Sequence, residues 1–310
     1  MTDPKLAFNV PGKGRWYTDP AGGPDLLSVT NALDTVNKHA LVPWAARVTA
    51  ERALDILPRL IRASRSTDAT EQALRELKGH VNVVREQASD RGTRVHRQAE
   101  AHILGTPIEP DPEVQPWVDQ YIAFVERFGI DIENDVEFAE CTVLNRHHGY
   151  AGTLDLGVRL PLIPALDGKP PMRDPEGIKR LWIVDTKTKT SRVNEVYAEA
   201  AMQQEAYKRA QALLLDNDEE EPMRLHPVAG TAVLNLTPTQ NELIPLPWGD
   251  RVWDGFLACL RMARYQHYWH DLKDDEAMCP RPFDPTTGHR PKRGAKKAAA
   301  KTTTTRGKAA

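Results

Sequence analysis

The sequence predicts an α/β protein, a short sheet flanked by helices with a helical extension at its amino end. Three observations predict it. The front third of the 310-residue chain reads in helical period, five strand-like runs cluster between residues 136 and 246, and helical patterns recur between and after those runs.

Taken in order, residues 1 to 24 are rich in Gly and Pro and read as irregular. From Ser28-Val-Thr30 the pattern turns helical, with Ser28 or Thr30 placed to cap a first helix and apolar residues recurring through Leu33, Val36, Leu41, Trp44 and Ala45. Further helices are predicted at about 47 to 64, 70 to 104 and 113 to 128, the second of them interrupted near Ser89-Asp-Arg-Gly92. Strands follow at Val136 to Leu144, Thr153 to Leu160, Leu181 to Thr186, Thr231 to Leu236 and Glu242 to Leu246. Between the second and third, Pro161-Leu-Ile-Pro through Pro175-Glu-Gly177 marks a protruding loop. A helix from about Asn194 to Leu214 separates the third and fourth strands, and one from about Asp250 to His270 closes the fold. The folded domain is thus expected to span 25 to 288, with its helical part at 25 to 130.

Charge is segregated along the chain. The net charge of −2 combines an acidic body with a basic end: residues 290 to 310 hold eight Lys or Arg and no Asp or Glu, which leaves residues 1 to 289 at −10. The end from about 289 is low in complexity and reads as a disordered tail, either a nonspecific arm on nucleic acid or a solubilising tail. No apolar run is long enough to span a bilayer, the amino end lacks the apolar core of a signal peptide, and no membrane partner is expected. The expected compartment is the cytoplasm. Cys141, Cys259 and Cys279 are too few and scattered for a disulfide framework, and none forms a Cys-x-x-Cys pair.

The chemistry gathers at strand ends. Leu181-Trp-Ile-Val-Asp-Thr-Lys187 closes with Asp185 and Lys187 two apart, so on a strand the carboxylate and the ammonium project side by side while Thr186 turns away. Burying both at the end of an apolar strand is costly unless something else shares the field, such as a divalent cation and a phosphate. Thirty residues upstream another strand-like run ends Gly152-Thr-Leu-Asp155. Gln203 and Tyr207 on the following helix are spaced i, i+4 and share a face, as do His96 and Glu100 in Gly92-Thr-Arg-Val-His96-Arg-Gln-Ala-Glu100.

Gly-x-x-x-His, Gly-x-x-Asp, Asp-x-Lys and Gln-x-x-x-Tyr, in that order from His96 to Tyr207, resemble the RecB-type branch of the PD-(D/E)XK nuclease superfamily. Any one motif is weak; the ordered set carries the resemblance. It implies a restriction-endonuclease-like core with a short mixed sheet, spanning about 85 to 272, and metal-dependent hydrolysis of DNA. Asp155 and Asp185 would hold Mg²⁺, which Mn²⁺ can replace, with His96 as a third ligand and the carbonyl of Thr186 within reach. Lys187 would orient or deprotonate the attacking water and offset charge on the phosphorane. Gln203 and Tyr207 would contact the DNA backbone or support the metal shell. The four-cysteine iron-sulfur cluster that some RecB-type nucleases carry is not expected, because the sequence has three cysteines and none precedes His96. No Gly-x-x-x-x-Gly-Lys-Ser/Thr loop occurs, so no helicase motor is expected within these residues. Together with the compact size, this looks like the stand-alone exonucleases of bacteriophage genomes and CRISPR-adaptation systems, in a bacterial or phage-infected cell, alongside a recombination, single-strand-binding or replication protein.

Each residue also has a plainer reading. His96 reads as a core histidine outside the constellation and as a ligand within it. Glu100 fits a surface residue or a support to the ligands, and Glu140, near the end of the first strand, an exposed glutamate, a further ligand or a partner of Lys187. Tyr207 fits core packing and Gln203 a solvated helix position. His147 and His148 read as a polar turn near the expected cleft, and Arg59, Arg62 and Arg65 as a solvated helical face or a DNA-binding ridge. An exonuclease in recombination, repair or replication is the leading expectation. An endonuclease on branched or foreign DNA, a noncatalytic nucleic-acid-binding module and a generic acidic adaptor are the alternatives.

Overall fold

A computed structural model describes residues 6–165, 170–190, 194–215, 219–274 and 286. The chain forms two units, residues 1–264 and 265–310. Its elements run β1 (Ala7–Val10), β2 (Gly14–Tyr17), β3 (Leu26–Ser28), α1 (Val29–Leu33), α2 (Leu41–Asp55), α3 (Leu57–Ala63), α4 (Thr67–Leu104), α5 (Gln115–Phe128), α6 (Ile132–Asp135), β4 (Val136–Asn145) and β5 (Tyr150–Leu160). They continue with β6 (Leu162–Ile163), β7 (Met172–Arg173), β8 (Arg180–Thr188), α7 (Ala198–Lys208), β9 (Ala212–Leu214), β10 (Glu220–Pro222), a 3₁₀ turn (Met223–Leu225), β11 (Gly230–Leu236), β12 (Asn241–Pro245) and α8 (Asp250–Asp274).

A mixed sheet flanked by helices makes up the first unit. β5 is its spine. One edge of β5 pairs antiparallel with β4 from end to end. The other edge is shared: β3 runs parallel to it at Tyr150 and Ala151, and β8 antiparallel to it from Leu156 to Leu160. Residues 152 to 155 lie in the gap between those two pairings. β8 leaves β5 after Val184 but continues parallel to β11, with Asp185 opposite Val233 and Lys187 opposite Asn235. The fork therefore sits where the apolar run of β8 ends, against the middle of β5.

Apolar side chains of β8 alternate between two cores, one on each face of the sheet. Leu181 and Ile183 join Tyr207, Phe256 and Leu260 in one core. Trp182 and Val184 join Val95, Ala99 and Ile103 of α4 and Trp117, Tyr121 and Phe124 of α5 in the other. The alternation breaks at Glu140, whose φ is +47°. Residues two apart in an unbroken strand share a face, yet Ala139 and its partner Leu156 pack toward α4 and α5 while Cys141 and its partner Leu154 pack on the opposite core.

Several boundaries differ from the sequence reading. The amino end is not irregular: β1 and β2 form a hairpin, with Gly12 and Gly14 at φ +75° and +74° making the turn. Ser28 does cap a helix, its hydroxyl accepting from the Asn31 N–H at 3.0 Å, but α1 stops at Leu33 and a new helix begins at Leu41. The stretch expected at 47 to 64 is divided at Ile56, where Pro58 opens α3. α4 runs unbroken through Ser89-Asp-Arg-Gly92. α7 ends at Lys208, and Ala212–Leu214 leaves the expected helix to pair as β9 with β4. Part of the loop at 161–177 is a short hairpin of β6 and β7. Residues 166–169, the basic tail and Cys279 lie outside the described residues. Among the described residues no helix is long and apolar enough to cross a membrane.

Candidate functional site

The fork between β5 and β8 opens into a cavity of about 130 Å³ lined by His96, Glu140, Gly152, Thr153, Asp155, Asp185, Lys187, Gln203 and Tyr207, together with Arg15, Tyr17, Ser28 and Thr30. Residues from seven separate segments meet there. α4 reaches it because Gly92, one turn before His96, lies against β8: a Cβ at Gly92 would sit 3.3 Å from Thr188 Oγ1. Gly152 admits Tyr207 in the same way, since a Cβ there would lie 2.5 Å from the tyrosine Cε1.

His96 Nε2 donates to the Thr186 carbonyl at 2.8 Å, which turns Nδ1 toward Glu140 Oε1 at 3.5 Å and Asp155 Oδ2 at 3.6 Å. Asp155 Oδ2 also accepts the Thr186 N–H at 2.7 Å, so both backbone polar groups of one residue fasten the histidine and the aspartate. One ligand atom each from His96, Glu140 and Asp155 lies within 4.8 Å of the other two. Asp185 is beside this cluster and is almost fully buried. Its Oδ1 accepts from Gln203 Nε2 at 3.1 Å, and its Oδ2 lies 2.7 Å from Lys187 Nζ. That ion pair lacks hydrogen-bond angles, and Oδ2 has no other donor. Gln203 Nε2 is also 3.2 Å from the Tyr207 hydroxyl, linking the α7 pair of i, i+4 residues to the carboxylate.

The electrostatics are those of crowded carboxylates. Burial raises the pKa of Asp155 and of Asp185, against the pull of His96 on the first and Lys187 on the second. Burial opposes charging of His96, but the carboxylates of Asp155 and Glu140 outweigh it and push the imidazole up to about 9. Lys187 likewise resists burial but is held in its ammonium form by Asp185 and Asp155, although its side chain keeps 45 % of its surface exposed to the cavity mouth.

Three carboxylates and an imidazole suit a divalent cation of the Mg²⁺ or Mn²⁺ type, which prefers hard oxygen donors with at most a borderline nitrogen. Burial of Asp155 and Asp185, which penalises their charged forms, is the cost that a bound cation would offset. The donor set therefore fits such an ion.

Of the sequence-derived residues, His96, Glu140, Asp155, Asp185, Lys187, Gln203 and Tyr207 share the cavity, while Thr186 supports it with its backbone. Two details differ from expectation. The close cluster is completed by Glu140 and not by Asp185, and the Thr186 carbonyl is engaged by His96. Glu140 faces His96 where its backbone takes the left-handed conformation, φ +47°. Glu100 lines a small adjoining cavity of about 10 Å³ with His96, Glu140, Asp155 and Tyr121. His147 and His148 form a turn in which His148 packs edge-on against Trp253, with 5.2 Å between ring centroids, and neither lines the cavity. Arg59 is ion-paired with Glu76, while Arg62 on α3 and Arg65 in the turn after it remain exposed.

Sequence reasoning missed Arg15 and Tyr17, which β2 carries to the cavity wall; Tyr17 is buried, its hydroxyl 3.0 Å from Thr153 Oγ1. Alternation in Gly14-Arg-Trp-Tyr17 was the available signal. Ser28 and Thr30 were read as caps, and their hydroxyls, 3.1 Å apart, also border the cavity. No protein-family model matches the chain, and no curated protein matches it.

Proposed function

We propose that the chain is a metal-dependent deoxyribonuclease, a DNA exonuclease of the RecB-type branch of the PD-(D/E)XK superfamily acting in recombination, repair or replication. The observation that carries the reading is the meeting, in one cavity, of a His96–Glu140–Asp155 cluster with the side-by-side Asp185 and Lys187. His96, Glu140 and Asp155, with Asp185 adjoining, would hold Mg²⁺ or Mn²⁺. Bound there, the ion would polarise a phosphoryl oxygen and lower the pKa of water.

The chain's own groups supply the rest. Lys187 serves as an electrostatic clamp on the developing phosphorane charge and orients or deprotonates the attacking water. Gln203 fixes the rotamer of Asp185 and is itself aligned by Tyr207. The backbone N–H and C=O of Thr186 hold Asp155 and His96 in place. Arg15, Ser28 and Thr30 offer a guanidinium and two hydroxyls on the opposite wall, chemistry suited to a phosphodiester.

The test is incubation with linear and covalently closed circular DNA, with Mg²⁺, Mn²⁺ or chelator, alongside Asp185→Ala and Lys187→Ala. Metal-dependent loss of linear DNA alone, abolished by both substitutions, is the expected result. Cutting of the circle would make the protein an endonuclease. DNA binding without cleavage by any form would leave a noncatalytic module.

A further inference from the structure

Four tyrosines among the described residues are buried: Tyr17, Tyr121, Tyr150 and Tyr207. Three of their hydroxyls have partners. Tyr17 meets Thr153 Oγ1 at 3.0 Å, Tyr150 donates to the Ala206 carbonyl at 2.8 Å, and Tyr207 accepts from Gln203 Nε2 at 3.2 Å. Tyr121 is the exception: it is 3 % exposed, and among the described residues no hydrogen bond engages its hydroxyl. Burying a hydroxyl without a partner is costly. Packing alone does not ask for it, since Phe124, in the same core and on the same stripe of α5, is a phenylalanine.

The surroundings of Tyr121 supply what its hydroxyl lacks. It lines the small cavity of about 10 Å³ that Glu100, Glu140 and Asp155 also border, which is room for one water. Burial raises the pKa of the phenol, and the charges of Asp155 and Glu140 raise it further, so the hydroxyl is kept as a donor among acceptors. Glu140 turns Oε1 and Asp155 turns Oδ2 toward His96 Nδ1, at 3.5 and 3.6 Å, and each carboxylate has a second oxygen to place. A water that accepts the Tyr121 proton has two of its own to give, one for each carboxylate.

We propose that Tyr121 is a positioning residue for the His96–Glu140–Asp155 cluster: its hydroxyl, through one water held in the small cavity, anchors the Glu140 and Asp155 carboxylates so that each presents an oxygen toward His96. The proposal rests on reading that cluster as a cation site. Tyr121 acts through the ligands and does not itself touch the ion. Removing an outer hydrogen-bond partner of this kind costs about ten- to a hundredfold in metal affinity.

The experiment uses the full chain without DNA and takes Mn²⁺ as the probe. Tyr121→Phe removes one oxygen and keeps the ring. Calorimetric titration should show its Mn²⁺ affinity reduced about tenfold, and the electron paramagnetic resonance spectrum of the bound ion should change, while the thermal midpoint in chelator stays within a few degrees of wild type. Phe124→Leu is the packing control: it should lower the thermal midpoint and leave Mn²⁺ affinity and spectrum as in wild type. Equal Mn²⁺ affinity in wild type and Tyr121→Phe overturns the proposal. So does a loss in Phe124→Leu as large as in Tyr121→Phe, which would mean packing alone. A wild type that takes up no Mn²⁺ removes the cation reading and the proposal with it. Tyr121-dependent Mn²⁺ binding in a protein that cleaves no DNA sinks the nuclease reading alone.

Discussion

Replacing Gly152 by alanine tests the packing that places Tyr207 against β5. The added methyl would lie 2.5 Å from Tyr207 Cε1 and 3.2 Å from its Cζ and hydroxyl oxygen. Tyr207 is 2 % exposed and sits in the core with Leu154, Ile183 and Phe256, so its ring has little room to retreat. Overpacking of this kind costs about 1–3 kcal/mol. Removing the ring instead, as in Tyr207→Ala, leaves a cavity worth about 3–5 kcal/mol. The two effects share one volume: once the ring is gone the methyl has nothing to strike. The double variant should therefore lose less stability than the sum of the singles, by about 1–2 kcal/mol. Urea titrations of the four proteins, analysed at constant slope, measure this directly. A Gly152→Ala protein as stable as wild type, or strictly additive losses, would refute the account of why a glycine precedes the Thr-Leu-Asp155 run.

Other outcomes follow from the cavity and its surroundings. Glu140→Gln keeps the shape of the side chain and removes one hard anionic donor; calorimetric titration with Mn²⁺ should show affinity reduced at least about tenfold. His96→Ala should lose affinity as well, because it removes both an imidazole donor and the anchor on Thr186. Arg15→Ala should raise KM for DNA by about tenfold or more and change kcat little, reflecting loss of a charge-assisted contact on the binding wall. Away from the cavity, Arg146 donates to both oxygens of Asp19 at 2.8–3.0 Å and holds that carboxyl below its ordinary 3.8, against the opposing effect of burial. A depressed carboxyl stabilises the fold above its unfolded value and loses that contribution as pH falls through the lower folded value. The urea midpoint of the wild type should thus drop below about pH 4 more steeply than that of Asp19→Asn; parallel curves for the two proteins would reject the linkage.

The sheet was legible where apolar runs are long and bounded. Leu181 to Thr186 and Thr231 to Leu236 read as buried strands because each is apolar and ends at polar residues, and both fall inside strands that pair with each other. Short elements were not. Ala212-Leu-Leu214 continues a helical pattern equally well, and only the partner strand β4 makes it a strand. The Gly12 and Gly14 turn looked like irregular chain because composition does not distinguish a hairpin from a loop. In the site, Asp185 and Lys187 project side by side as two-residue spacing demands, with 2.7 Å between Nζ and Oδ2. Glu140 was less legible. Its approach to His96 depends on a left-handed backbone at a glutamate, a local departure that side-chain alternation cannot announce. Arg15 and Tyr17 were missed because their strand was.

The central claim is that this cavity hydrolyses DNA with a bound divalent cation, and single-turnover cleavage of linear DNA tests it most directly. With Mg²⁺ the wild type should release nucleotides and stop when chelator is added. Asp155→Ala and Lys187→Ala should each fall by about a hundredfold or more while DNA binding in chelator persists. Wild-type protein that binds Mg²⁺ and DNA yet leaves the strand intact, or a Lys187→Ala variant that cleaves at the wild-type rate, would contradict the account.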